Sequence, residues 1–307
     1  MTNWPNENPT AYALGQLNGS LRILPTKTTP AQLATFTQRV TAANGWQNPP
    51  AARRYPPFQH VIYIIKENRT YDQVLGDMKE GDGDARLVYF PEAITPNHHA
   101  LARRFGVFDR FFVNAEVSSE GHIWSTAAYV TDYGEKTVPS AYAGKYPYVD
   151  GDEASEPEHG FLWTLARKSG VSFRDYGEMV PGGGWPIMPK DLLADVSPDY
   201  KPFDLTTPDQ KRVDVWLAEF KRYLAQGNMP QLEVMHLPND HLAAGRPGKC
   251  TPRACMADND LALGRIVEAL SSSARWKDTV IFVVEDDAQA GPDHVDSHRA
   301  PFFAISA

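Results

Sequence analysis

The sequence predicts an α/β protein with a central, mainly parallel sheet flanked by helices. His60 to Ile65 (HVIYII) is a short, almost wholly apolar, β-branched run, the pattern of a strand buried on both faces of a parallel sheet. Similar runs recur at VSFRDYG near Val171, LEVMHL near Leu232, TVIFVVE near Thr279 and APFFAIS at the end. Between them lie amphipathic segments, HALARRF, GFLWTLARKSG, DQKRVDVWLAEFKRYLAQG and ADNDLALGRIVEALSSS. Strands that alternate with helices build parallel sheets. In such sheets ligands sit at the carboxyl ends of the strands, and the polar clusters of this sequence fall at those ends.

The bulk properties exclude some functions. A net charge of −8 argues against a nucleic-acid surface, which needs a basic excess. No run approaches the roughly 20 apolar residues of a transmembrane helix. The start, MTNWPNENPT, lacks a basic region followed by an apolar core, so no secretory signal is visible. Cys250 and Cys255 in KCTPRAC do not have zinc-site spacing. They read either as a short disulfide or as two thiols near the start of a helix.

The first stretch, to about Pro57, differs from the rest. Behind the turn signal Asn18-Gly19 comes a strand-like run, Ser20 to Leu24. A helix is predicted over Pro30 to Ala43, where Leu33, Phe36 and Val40 recur at helical spacing and Thr29 serves as N-cap. One strand with an exposed edge cannot make a domain, so residues 1–57 read as an arm or as the edge of something larger. The α/β pattern occupies residues 58–307.

Four clusters carry possible chemistry. Glu67-Asn68 follows the strand HVIYII and offers two hard oxygens suited to a divalent cation; a cap or turn is the alternative. In VSSEGHIWSTAAY, Ser118 stands at the foot of a helix-prone segment with Gly121 and His122 behind it. A helix start stabilises anions, and a serine needs a base or metal to act as nucleophile; otherwise Ser118 or Ser119 simply caps the helix. The segment does not match the G-x-S-x-G elbow. Asp240 and His241 lie in LPNDH after the strand LEVMHL. In VVEDDAQAGPDHVDSHRAP, Asp286 and Asp287 end a strand and are followed by Asp293, His294, Asp296 and His298. Adjacent carboxylates there repel unless a proton or cation lies between them, and the mixed oxygen and nitrogen donors suit Zn²⁺, Mn²⁺ or Fe. A solvated acidic loop is the alternative. Trp124, Tyr129, Trp163, Trp185 and the segment Pro181 to Pro186 (PGGGWP) either line a pocket or belong to the core.

In order and spacing, ENRTYD, ALARRFGVFDRFFVNAEVSSEGH, PNDH and WKDTVIFVVEDD…DHV resemble the phosphoesterase family of non-haemolytic phospholipases C and certain acid phosphatases, within the alkaline-phosphatase superfamily. The resemblance runs from about His60 to the C-terminus and implies an alkaline-phosphatase-like fold. It implies a metal-dependent hydrolase of phosphate esters that works through a serine nucleophile and a phosphoserine intermediate. Carried over by residue, Ser118 is the nucleophile with His122 beside it, and Glu67, Asn68, Ser118, Asp286 and Asp287 bind one divalent ion (Zn, Mn, Ca, Mg or Fe). Asp240, His241 and His298 would hold a second ion where two are used. Asn68 and His294 would contact substrate, a small-molecule or lipid phosphoester. Glu120 replaces the family's usual proline, and Asp287 its usual glutamate. The same scaffold serves sulfatases and phosphonate hydrolases, and a decayed binding module or a metal-free serine esterase are the further alternatives. The first ~55 residues resemble the last strand and exit of a β-propeller, so a propeller domain is expected before this one in the full-length protein. A closing helix is expected after APFFAIS, and an extracytoplasmic location follows from the family.

Overall fold

The computed structural model describes residues 21–23, 26–47, 56–142, 145, 152–181, 188–243, 245–288 and 291–307. They divide into two compact units, one ending at Pro57 and one covering Phe58–Ala307. In the first, helix α1 spans Pro30–Ala43 as expected. Thr29 caps it: its side chain accepts from the Gln32 N–H, and the Gln32 side chain accepts from the Thr29 N–H. That reciprocal box satisfies two N–H groups a helix start otherwise leaves open. Leu33, Phe36 and Val40 stay exposed. The expected strand from Ser20 to Leu24 is not formed over residues 21–23, which pair with no strand among the described residues; Ser20, Leu24 and the Asn18-Gly19 turn lie outside them.

The second unit runs β1 (His60–Lys66), α2 (Tyr71–Leu75), α3 (Pro96–Phe105), α4 (Ser118–Ala127), α5 (Asp132–Tyr142), α6 (Leu162–Lys168), β2 (Phe173–Tyr176), α7 (Asp209–Gln226), β3 (Leu232–Leu237), α8 (Pro252–Ser271), β4 (Thr279–Glu285) and β5 (Phe303–Ser306). Each strand-like run of this unit became a strand. The sheet order is β2-β3-β1-β4-β5. The first four strands are parallel, and β5 returns antiparallel to β4. Gly227 ends α7 in the left-handed region at φ 67°, where a Cβ is penalised. Cys250 and Cys255 form a disulfide just before and inside the first turn of α8.

Register, more than strand order, sets which residues meet at the end of the sheet. Lys66 pairs with both Leu237 and Glu285, so β3, β1 and β4 end side by side. Because side chains alternate along a strand, each strand sends successive residues to opposite faces. Ile62, Ile64, Met235, Ile281 and Val283 join the large core with Leu101 of α3, Val213, Trp216 and Phe220 of α7, and Leu263, Ile266 and Leu270 of α8. Ile65, Val234 and Val284 pack instead with Ala166 and Leu162 of α6. Tyr63, on this second face, donates its hydroxyl to the Ser125 carbonyl of α4.

The first core also encloses a carboxyl group. Glu233 on β3 is fully buried and accepts from the Trp216 indole at 2.7 Å. Burial outweighs that bond and pushes its carboxyl up to about 7 from 4.5. A folded-state pKa above the unfolded one means stability complete at low pH and lost as pH rises from about 4.5 through about 7. Glu233→Gln keeps an acceptor for Trp216 and cannot ionise. It should leave stability unchanged at pH 4 and raise it at pH 8 by on the order of 2 kcal/mol, as read from urea midpoints at the two pH values.

Candidate active site

The carboxyl end of the sheet gathers the groups that the sequence singled out, and the pleat sorts them. Glu67 follows β1, Asp286 follows β4, and both are buried, as are Asn68 and Asp287. Ser118 opens α4 as its first helical residue behind Val117, half-buried at the positive end of the helix dipole. Its hydroxyl donates to Asp287 Oδ2 at 2.7 Å, and the Asn68 amide nitrogen stands 3.5 Å from Ser118 Oγ. Arg69 fixes that orientation: its Nη2 donates to Asn68 Oδ1 at 3.0 Å, and a guanidinium can only donate. Residues 50 positions apart or more are thus brought onto one hydroxyl.

Asp286 is the unusual member. Among the described residues neither of its carboxylate oxygens has a hydrogen-bond partner, and the residue is 2% exposed. Burial, Asp287 and Glu67 push its pKa well above the ordinary carboxylate range. An unmet buried carboxylate beside two others is costly, and a divalent cation resolves it with hard oxygen ligands. The carboxylates of Glu67, Asp286 and Asp287 are thus the candidate ligands for a metal ion near Ser118, whereas Asn68, expected as a further ligand, turns its NH2 to that hydroxyl and its oxygen to Arg69.

His236 and Glu178, which sequence reasoning did not single out, join this cluster through Glu67 and His122. His236, on the Ile65 face of β3, places Nε2 at 2.7 Å from Glu67 Oε1. His122, one turn into α4, places Nε2 at 2.9 Å from the same oxygen and Nδ1 at 2.9 Å from Glu178 Oε1. Asp286 Oδ2 lies 3.6 Å from His122 Nε2. Burial alone would lower the His122 pKa; Glu178 and Glu67 outweigh it and hold the imidazole well above its usual value. The same histidines hold Glu67 below the carboxylate range despite its burial. Glu67, His122 and His236 bring donor atoms within 4.8 Å of one another, a mixed set that also suits a metal. The available signals were a histidine inside an apolar strand and a glutamate just past VSFRDYG.

Asp240, His241 and His298, expected to share a second ion, do not assemble among the described residues. Asp240 forms a buried ion pair with Lys66 at 2.9 Å and accepts from the Glu67 N–H at 3.0 Å. His241 stands edge-on to Phe203, its Nε2 4.0 Å from Glu67 Oε2. His298 lies between Asp296 and Glu116, with Nδ1 at 2.9 Å and Nε2 at 2.7 Å; these two carboxylates raise its pKa to about 9. His294 sits in another cluster, Nδ1 2.6 Å from Asp72 Oδ2. There Asp72 and Asp293 bind the fully buried Arg299 at 2.9 and 3.0 Å, so their charge is already met. Glu120 lies in the first turn of α4, where burial, Glu135 and Glu116 push its carboxyl up to about 7. Trp163 is core, whereas Trp124 joins Tyr63, Phe111 and Phe112 in lining a cleft of about 240 Å³ that reaches Asp286. Most of Pro181 to Pro186, Trp185 included, lies outside the described residues.

Comparison with known proteins places this arrangement. The model of the phosphoesterase family matches residues 82–306. No curated protein matches the chain. Among solved structures, a protein of the alkaline phosphatase superfamily from Vibrio parahaemolyticus is similar at TM-score 0.52 and 16% identity, over 82% of this chain and 61% of that one. The lipoteichoic acid synthase LtaP from Listeria monocytogenes gives 0.52 and 13%, over 86% and 70%. A putative sulfatase from Bacteroides thetaiotaomicron gives 0.50 and 13%, over 82% and 65%. At these identities the likeness is one of fold, and this chain spans less than two thirds of the Vibrio protein and of the sulfatase.

Packing between α4 and the end of β4 is tight. A Cβ on Gly121 would lie 2.5 Å from the Asp286 carbonyl oxygen and 2.7 Å from its carbonyl carbon. Gly121→Ala should therefore push α4 off the end of β4, at about 1–3 kcal/mol of stability, measured as a lower melting temperature than that of Gly134→Ala in α5.

Proposed function

We propose that this chain, which belongs to the phosphoesterase family, is a metal-dependent hydrolase of phosphate esters with Ser118 as its nucleophile. One observation carries the reading: the Ser118 hydroxyl bonds Asp287 beside Asp286, a buried carboxylate with both oxygens unmet. A divalent cation bound by Glu67, Asp286 and Asp287 would supply charge that lowers the pKa of Ser118 and neutralises phosphoryl oxygens.

The chain's own groups do the rest. Asp287 Oδ2 holds the Ser118 proton and sets the direction of the Oγ lone pairs. The Asn68 amide, oriented by Arg69, points a donor at the space next to Oγ, where a phosphoryl oxygen would lie. The first turn of α4 adds the positive end of its dipole. His122, charged and held by Glu178, favours an anionic substrate. Attack of Oγ on phosphorus forms a phosphoserine and expels the alcohol, and water then cleaves the phosphoserine to phosphate, regenerating the hydroxyl.

Sulfate-ester hydrolysis is the second reading, favoured by the similarity to a protein named a putative sulfatase. The Cys250–Cys255 disulfide supports an extracytoplasmic place of action, since such bonds persist in oxidising compartments. Residues 1–57 are read as an arm or propeller remnant.

Ser118→Ala should lower turnover of a phosphate ester by about 10³-fold or more, with melting temperature and bound metal retained; undiminished turnover would sink the nucleophile. Exhaustive chelation should abolish activity, and a divalent ion should restore it. Faster hydrolysis of aryl sulfates than of aryl phosphates would select the second reading.

A further inference from the structure

We infer that the Lys66 ammonium takes the place of a second metal ion, so that the centre takes one cation per chain and Asp240 positions Glu67 instead of binding metal. This rests on the metal site proposed above. Lys66 is the last residue of β1 and points to the face opposite Glu67, where it is 1% exposed. Its Nζ lies 2.9 Å from Asp240 Oδ2 and 2.9 Å from Glu285 Oε1. The other oxygen of each carboxylate is occupied by backbone: Asp240 Oδ1 accepts from the Glu67 N–H at 3.0 Å, and Glu285 Oε2 from the Arg69 N–H at 3.1 Å. The ammonium and two amides therefore engage all four oxygens, and they draw residues 66–69 between the ends of β3 and β4.

Charge leads to the same result as geometry. Lys66 pairs with both Asp240 and Glu285, and the buried Arg69 adds a second cation that these two carboxylates share with Asp287 and Asp286. A second divalent ion at Asp240 would have to expel an ammonium that has no route to water, and would find no surplus negative charge. On the other face of the strand the balance is reversed. Among the described residues Asp286 has no hydrogen-bond partner on either oxygen and pairs only with His122, 3.6 Å away, and the ion-pair partners of Glu67 are histidines. One face of the pleat is neutralised by a tethered cation, and the other is left for a free one. His241 and His298, each engaged elsewhere, are not drawn towards Asp240.

The test counts metal. Full-length protein, stripped and then saturated with zinc or manganese, is analysed by native mass spectrometry and elemental analysis. One equivalent is expected in the wild type. Two equivalents overturn the role of Lys66 alone, whereas none overturns the metal-dependent reading on which it rests. Lys66→Ala removes both charge and bulk and should bind two equivalents, with a melting temperature that rises on adding the second; a folded variant that still binds one overturns the inference. Should Lys66→Ala fail to fold, Asp240→Asn provides an independent arm. It should keep one equivalent at saturation while its metal affinity falls about 10–100-fold, as for a residue that orients a ligand; loss of the remaining equivalent shows that Asp240 binds metal and overturns the inference.

Discussion

Parallel pairing of β1 with both β3 and β4 leaves Leu237, Lys66 and Glu285 abreast at one edge of the sheet, and the two-residue pleat then fixes which neighbour of each points up and which down. A slip of one residue in any of the three strands would exchange these sets. It would carry Glu67 to the side of α8 and Lys66 to the side of α4. The apolar residues prevent the slip, because Ile62, Ile64, Met235 and Val283 would leave one core for the other in the same movement. The site's chemistry is thus held in register by side chains that take no part in it.

That arrangement lets a dense group of charges stay buried. Taking carboxylates out of water costs several kcal/mol each unless partners compensate, and here compensation is local. Lys66 serves Asp240 and Glu285, Arg299 serves Asp72 and Asp293, and Arg212 donates to Asp209 and to four nearby backbone carbonyls. Against this background of met charges Asp286 stands out. A serine hydroxyl next to such a carboxylate is a specific juxtaposition, and α4 comes this close to the end of β4 only because residue 121 has no side chain to hold it away.

Much of this was legible in the residue order. The strands of the second unit announced themselves by apolar, β-branched runs, and Thr29, Glu67, Ser118 and the Asp286-Asp287 pair sat at element ends where local rules speak. Lys66, Glu178 and His236 did not, for a physical reason. Their roles depend on which strands are neighbours and on the parity of the pleat, and neither is encoded in any single window. His236 reads as one polar residue in LEVMHL until β3 is set beside β1, when it meets Glu67 and His122. Asp240 and His298 illustrate the converse. Their ligand chemistry is visible in the sequence, but Lys66 and Glu116, their partners in space, were not tied to them by spacing.

The stretch that leads to Ser118 is fastened to the segment that follows the acidic pair. Phe112 bridges Arg299, the Val113 N–H donates to the His298 carbonyl, and the Ala300 N–H donates to the Phe111 carbonyl. Arg299 in turn is locked by Asp72 and Asp293, and its carbonyl accepts from the Tyr71 N–H at the start of α2. These stretches share their hydrogen bonds, so none can open without releasing the others. In hydrogen exchange the amides of Tyr71, Val113 and Ala300 would belong to one cooperative unit, distant in the chain but exchanging with a common opening energy, and the site would be assembled or dismantled as a whole.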